Sequence, residues 1–365
     1  MIDNLIDFDS LRAIGMTPQI VQQLRALPPL AGEPHVMRIT EMQREGMTLH
    51  DGQLEHPARA LPALLRAVGD EGDAIAVGDW VLAEQLFPGE WWVHTRMPPL
   101  TQIARRLHDG RDKVTRAVIV SNVDAALLVM GLDMDFSLRR LERYLALATG
   151  AGVAAVVVLT KADLCADVED KLRSVHRVLP PHCGVVAVNA LSEDCRVALA
   201  DWLQPGQTLV LVGSSGAGKS TLTNTLTAQA DGPDAQATGA ARRGDGRGRH
   251  TTTARSLHRT VEGACIIDTP GLRTLRLDAG EQALDAVFAD VAGLAPLCRF
   301  RDCRHIDEPG CAVREQVDAA RLNNYHKLLR ETQRDTLSAL QRKQQVSQWK
   351  ARSRAGRMRM TAKRG

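Results

Sequence analysis

Eight consecutive residues, Gly213-Ser214-Ser215-Gly216-Ala217-Gly218-Lys219-Ser220, have the types and spacing of a phosphate-binding loop. The glycines leave backbone N–H groups free to face an anion, because no Cβ blocks their approach. An apolar run, Gln207 to Val212, reads as a buried strand before the loop, and Thr221 opens a helix whose positive end faces the phosphates. In that setting Lys219 reaches the β- and γ-phosphates and Ser220 ligates Mg²⁺. The competing reading is a glycine-rich turn with no ligand. Downstream, the short apolar strand Ala264 to Ile267 ends in Asp268-Thr269-Pro270-Gly271. By itself this is a common turn. After a phosphate loop, Asp268 can hold Mg²⁺ through water and the Gly271 N–H can sense a γ-phosphate.

A second set lies upstream. Thr160-Lys161-Ala162-Asp163 closes the apolar run Val153 to Leu159. The Asp163 carboxylate offers the paired acceptors that guanine N1–H and N2–H₂ require, and adenine has no such donor pair. Lys161 can lay its aliphatic stem along the base. Asn189 and Ala190, after the strand Gly184 to Val188, can supply a backbone N–H to guanine O6. Read without the phosphate loop, the same four residues are a strand-to-helix turn with Asp163 as an N-cap. An ordinary GTPase places its phosphate loop before its base-reading motif. Here the order is reversed, which points to a circularly permuted GTPase domain.

Leu272 follows the Asp268 motif, where Ras-like enzymes place a water-orienting Gln. An apolar side chain cannot orient water, so another group does so or turnover is slow. His250, beside Thr251-Thr252-Thr253, is the candidate, and Thr252 is the candidate switch contact to Mg²⁺ or γ-phosphate. A lone His in a basic loop is otherwise a solvated surface group. The stretch from Gln229 to Gly248 is too poor in apolar residues to pack, which suits a segment ordered by nucleotide or partner.

Cys298, Cys303, His305 and Cys311 lie within fourteen residues, with Pro309-Gly310 supplying the turn. Three thiolates and an imidazole suit tetrahedral Zn²⁺, and four protein ligands leave no place for water activation. Cys165, Cys183, Cys195 and Cys265 are scattered and read as ordinary thiols.

The motif order, together with Ser121-Asn122-Val123-Asp124, the run Leu138 to Leu145, and Gly248-Arg249-His250-Thr251-Thr252-Thr253, resembles the RsgA (YjeQ/EngC) family of circularly permuted ribosome-biogenesis GTPases over roughly residues 35 to 335. The resemblance implies an N-terminal OB-fold, a structural zinc on the four ligands, His250 as the water-orienting residue, and the small ribosomal subunit with its rRNA as partner. Thr160 departs from the family's usual Asn, so altered nucleotide affinity with retained guanine specificity is expected.

A multi-domain chain is the fold class expected of 365 residues with 44% hydrophobic content. A helical leader (1–33), with Thr17-Pro18 as N-cap and N1, precedes short strand-like runs over 34–116 that predict a β-barrel. The α/β P-loop GTPase domain takes 117–281, and helical spacing after the cysteines predicts a zinc-binding domain over 282–340. The basic tail, 341–365, holds nine Lys or Arg and no acid, while the remaining 340 residues carry 37 basic against 43 acidic. Such a tail suits RNA phosphates, with a solubilising tail or a membrane surface as alternatives. The start lacks a signal pattern and no apolar run reaches spanning length, so a cytoplasmic protein without membrane contact is expected, with a monomer as the default. Together these readings predict a GTP-hydrolysing assembly factor of the small subunit that uses GTP/GDP, Mg²⁺ and one Zn²⁺. A nucleotide-independent RNA-binding zinc protein and an ATP-using P-loop enzyme are the rival classes.

Overall fold

The computed structural model describes residues 7–27, 32, 34–43, 46–108, 114–227, 255–269 and 280–336. Strands β1 (His35–Met42), β2 (Met47–His50), β3 (Glu55–Ala60), β4 (Trp80–Phe87) and β5 (Glu90–Arg96) close into a barrel. Neighbours run β1-β2-β3-β5-β4 and back to β1, with β3 and β5 parallel and the other pairs antiparallel. This is the five-stranded closure of an OB-type barrel. Alternation along β4 explains its two faces: Val81 and Ala83 point to the barrel interior with Met37, Ile39 and Val93, whereas Trp80 and Leu82 point outward.

That outward face is covered by the leader. Helices α1 (Phe8–Arg12) and α2 (Pro18–Arg25) and the turn between them place Leu11, Ile14, Ile20 and Leu24 against Trp80, Leu82 and Met97. Thr17 caps α2 by accepting from the Ile20 N–H at 3.4 Å. Between β3 and β4 runs α3 (Pro62–Asp70), started by proline at its first turn. The strand-like run from Ile75 begins as a turn instead, because Asp79 accepts from the Ala76 N–H at 2.8 Å, and β4 starts only at Trp80.

A hairpin of β6 (Gln102–His108) and β7 (Val114–Ser121) follows the barrel. The line expected between residues 116 and 117 therefore falls inside a paired strand. Next come β8 (Ala125–Gly131), β9 (Ala154–Thr160), β10 (Gly184–Ala187), β11 (Thr208–Gly213), β12 (Arg255–Arg259) and β13 (Cys265–Asp268). In space they order as β10-β9-β8-β11-β13-β12, parallel except for β12. Every residue of β8 and β11 is buried, as central parallel strands with both faces covered must be. Helices α4 (Leu138–Gly150) and α5 (Val168–His176) cover one face. Helices α6 (Asp194–Ala198) and α7 (Lys219–Thr227) lie on the other.

Strand β12 also pairs with β1, through Glu41 with Ser256 and Met42 with Arg255, so barrel and parallel sheet form one continuous ladder. At the far end, α8 (Glu281–Val287), α9 (Ala289–Leu294), α10 (Ala312–Gln316) and α11 (Ala319–Thr336) share the α4 core through Leu284, Phe288, Val313 and Leu328. The expected start of this module at residue 282 falls one residue inside α8. Arg321 ties the modules together, donating to Glu142 at 2.5 Å and to Asp290 at 2.7 Å. Burial raises the Glu142 carboxyl above its ordinary range, opposed by its bonds to Asn324 and Arg321. Among the described residues no helix is long and apolar enough to cross a membrane.

Candidate functional site

Strand β11 ends at Gly213, where a Cβ would run into the Val129 carbonyl of neighbouring β8. At the other end of the loop Gly218 has φ +90°, and a Cβ there would come 3.2 Å from the Thr160 Oγ1. The two positions force the chain to turn tightly above the sheet and enter α7 at Lys219. The Lys219 Nζ donates to the Gly213 and Ser214 carbonyls at 2.9 and 2.7 Å. Its burial pushes the ammonium below the ordinary lysine value, with the charges of Asp268 and Asp135 pulling the other way. Ser220 and Thr221 occupy the first turn of the same helix, and Asp268 closes β13 with 7% exposure. Among the described residues the Asp268 carboxylate has no hydrogen-bond or ion-pair partner. It is thus an oxygen acceptor held beside the loop.

Thr160 and Lys161 come to the same edge of the sheet. The Thr160 hydroxyl donates to the Ala217 carbonyl at 2.6 Å, and Lys161 Nζ donates to the Gly216 carbonyl at 2.8 Å. Lys161 has φ 60°, a left-handed turn that a non-glycine residue rarely adopts, and it swings the chain from β9 toward the loop. Asp163 follows in a single 3₁₀ turn, Ala162–Leu164, and is exposed. Its loop is held by the Ala162 N–H donating to the Val188 carbonyl at 3.2 Å. In the neighbouring loop Asn189 Oδ1 accepts from the Leu191 N–H at 2.9 Å, and the Ala190 carbonyl accepts from Thr225 of α7 at 2.7 Å. Residues 160–163, 189–190, 213–221 and 268 thus lie together at one edge of the sheet.

Two participants carried no motif in the sequence. After β8, Asp133 accepts from Lys161 at 2.6 Å and Asp135 accepts from the Ser214 hydroxyl at 2.5 Å. The hydrogen bond from Lys161 holds the Asp133 carboxyl below its ordinary range. Asp135 is further paired with Arg140 of α4. Their only sequence signal was two acids directly following an apolar strand, Gly131-Leu132-Asp133-Met134-Asp135. His250, Thr252 and Gly271 lie outside the described residues, as do Leu272, the 229–248 stretch and the basic tail.

The second site is built in the loop between α9 and α10. Ligand atoms of Cys298, Cys303, His305 and Cys311 all lie within 4.8 Å of one another. Cys298 Sγ is 3.9 Å from Cys311 Sγ, and His305 Nδ1 is 3.5 and 3.4 Å from those two sulfurs. A tetrahedral zinc with ordinary bond lengths requires S···S near about 3.8 Å and N···S near about 3.5 Å, so the donor set fits that ion. His305 sits in a left-handed turn at φ 60°. The turn is organised by Glu308, which accepts from the Arg304, Ile306 and Asp307 N–H groups at 3.1, 2.9 and 3.1 Å. Its own backbone N–H and those of Ile306 and Arg304 bring its carboxyl down to about 2.

With both sites built, residues 101–278 match the family model for the RsgA GTPase. The small ribosomal subunit biogenesis GTPase RsgA of Xanthomonas euvesicatoria is 42% identical over 337 residues, covering 90% of each chain. This chain belongs to the RsgA GTPase family. Among solved structures, YjeQ from Thermotoga maritima has the same fold at 22% identity with a TM-score of 0.58, covering 82% of this chain and 98% of that one. YloQ, described as a circularly permuted GTPase, gives 0.53 at 22% identity, covering 83% and 96%. The permutation is visible in this GTPase as a sheet whose fourth strand in chain order, β11, lies at its centre.

Proposed function

We propose that this GTPase acts in biogenesis of the small ribosomal subunit, binding the subunit and its rRNA and hydrolysing GTP slowly until engaged. The observation that carries the reading is the pair of bonds joining the base-reading loop to the phosphate loop, Thr160 to Ala217 and Lys161 to Gly216. They support a reading in which Asp163 meets the guanine while Lys219 meets the phosphates. Water attacks the γ-phosphorus as the bond to the bridging oxygen breaks, and GDP leaves with that oxygen. Lys219 and the loop N–H groups stabilise the charge that gathers on the phosphates. Ser220 and Asp268 offer the oxygen donors that Mg²⁺ prefers, and the ion when bound neutralises phosphate charge. His250 orients the water, and Thr252 and Gly271 meet the γ-phosphate side. Cys298, Cys303, His305 and Cys311 hold a structural Zn²⁺. The protein works in the cytoplasm as a monomer.

The test is GTP hydrolysis by the full chain with and without purified small subunits. Alone it turns over at about 10⁻⁴ to 10⁻³ s⁻¹, the range of unassisted Ras-type enzymes, and the subunits raise the rate at least about tenfold. An unchanged rate at saturating subunits, or competition by ATP as strong as by GDP, overturns the reading.

A further inference from the structure

A groove of about 440 Å³ runs between α4 and α11, away from the nucleotide cleft. Its cations come from both walls: Arg139, Arg140 and Arg143 from α4, Lys327 and Arg330 from α11. Serine and asparagine complete the lining, with no aromatic or aliphatic side chain and no carboxylate among it. Two of the cations are matched nearby, Arg143 by Glu331 at 2.6 Å and Arg140 by Asp135. Arg139, Lys327 and Arg330 have no acidic partner among the described residues, and all three are exposed.

We propose that this groove is a docking surface for the phosphate backbone of ribosomal RNA, a step that rests on the small-subunit reading above and locates where contact is made. Protein partners dock through aromatic or aliphatic anchors, and none lines this groove. Without an aromatic platform it also cannot stack bases, so it recognises backbone and not sequence. Asn323 to Arg330 spans seven residues of helix, about 10 Å, which accommodates successive phosphates better than a single anion. The α11 wall leads in sequence into the tail that carries nine Lys or Arg, so the positive track continues along the chain. The groove is also two contacts from the phosphate loop. Arg140 pairs with Asp135, and Asp135 accepts from the Ser214 hydroxyl of the phosphate loop, so phosphates in the groove compete for the cation that fixes Asp135.

The experiment compares the full chain with a triple variant, Arg139→Ala, Lys327→Ala and Arg330→Ala, and with a control, Arg66→Ala, Arg173→Ala and Arg177→Ala, that removes equal charge elsewhere. Binding to purified small subunits and to protein-free small-subunit rRNA is measured across salt concentrations, with intrinsic GTP hydrolysis alongside. The groove variant keeps intrinsic hydrolysis, binds both targets at least about tenfold more weakly, and its slope of log affinity against log salt falls by about 3. The control stays within about twofold of the unaltered chain. Equal losses in both variants, or no change in the groove variant, overturn the proposal. Loss toward intact subunits with full binding to bare rRNA overturns it in favour of an acidic protein partner. An unaltered chain that binds neither target removes the small-subunit reading itself, and the groove's assignment with it.

Discussion

The Thr160 hydroxyl, 2.6 Å from the Ala217 carbonyl, joins the turn that carries Asp163 to the loop from Gly213 to Ser220. Thr160 is completely buried, so its removal leaves the carbonyl without that donor in a place water does not reach. A Thr160→Val substitution keeps the shape and deletes the bond, at a cost of about 1–2 kcal/mol. GDP affinity by isothermal titration is expected to fall roughly five- to thirtyfold, with preference over ATP retained because Asp163 is untouched. Affinity within about twofold of the unaltered protein would show that the latch has no part in binding. At this scale the sequence showed which residue departed from the family pattern but not how its side chain would be used. The same limit hid Asp133 and Asp135. Carboxylates near an exposed strand end are common, and only the fold brings Asp135 to Ser214, 79 residues away in the chain.

Among the elements, the turn that carries Cys298, Cys303, His305 and Cys311 shows how few residues bring four donor atoms within 4.8 Å of one another. Cys311 contributes a sulfur to the cluster and also accepts from the Arg314 N–H at 3.5 Å, capping α10. The expected result of Cys311→Ser is loss of bound zinc, from about one per chain to near zero by mass spectrometry, with a lower melting temperature. Cys183→Ser, at an isolated thiol that burial pushes up to about 11, is expected to retain the metal. Zinc retained by the Cys311 variant would show that the ion is held elsewhere. The turn was legible because thiol and imidazole spacing is specific. Barrel strands were less so: β2 has four residues, and β3 contains Pro57 among charged neighbours, which masks the alternation a strand needs. Strands β8 and β11 announced themselves as apolar runs, since both faces are covered.

For the whole molecule, Arg38 is a buried polar tie between modules. It lies on β1 with no exposure and donates to Ile14 of the leader at 2.5 Å, Gly78 of the barrel at 3.3 Å, Asn122 at 2.9 Å, and the Thr208 hydroxyl at the start of β11 at 2.8 Å. Burial lowers its guanidinium from the ordinary arginine value, and Cys265, Asp124 and Asp79 oppose that shift. Arg38→Met strands several buried acceptors and is expected to cost about 3 kcal/mol or more, lowering the melting temperature by roughly 6 °C or more. Calorimetry should also resolve barrel and GTPase melting as two steps; a single unshifted transition would show that the tie is not needed. No sequence pattern marks such a residue, because an isolated Arg in a strand reads as surface. The strand order adds a mechanical result. Asp268 ends the last strand of the sheet, so residues 269 to 280 are the sole covalent bridge to the helices that carry the metal turn. The helices beyond it pack on α4 through Leu284 and Phe288, so a shift of β13 is met by side chains of one shared core and not by the chain alone.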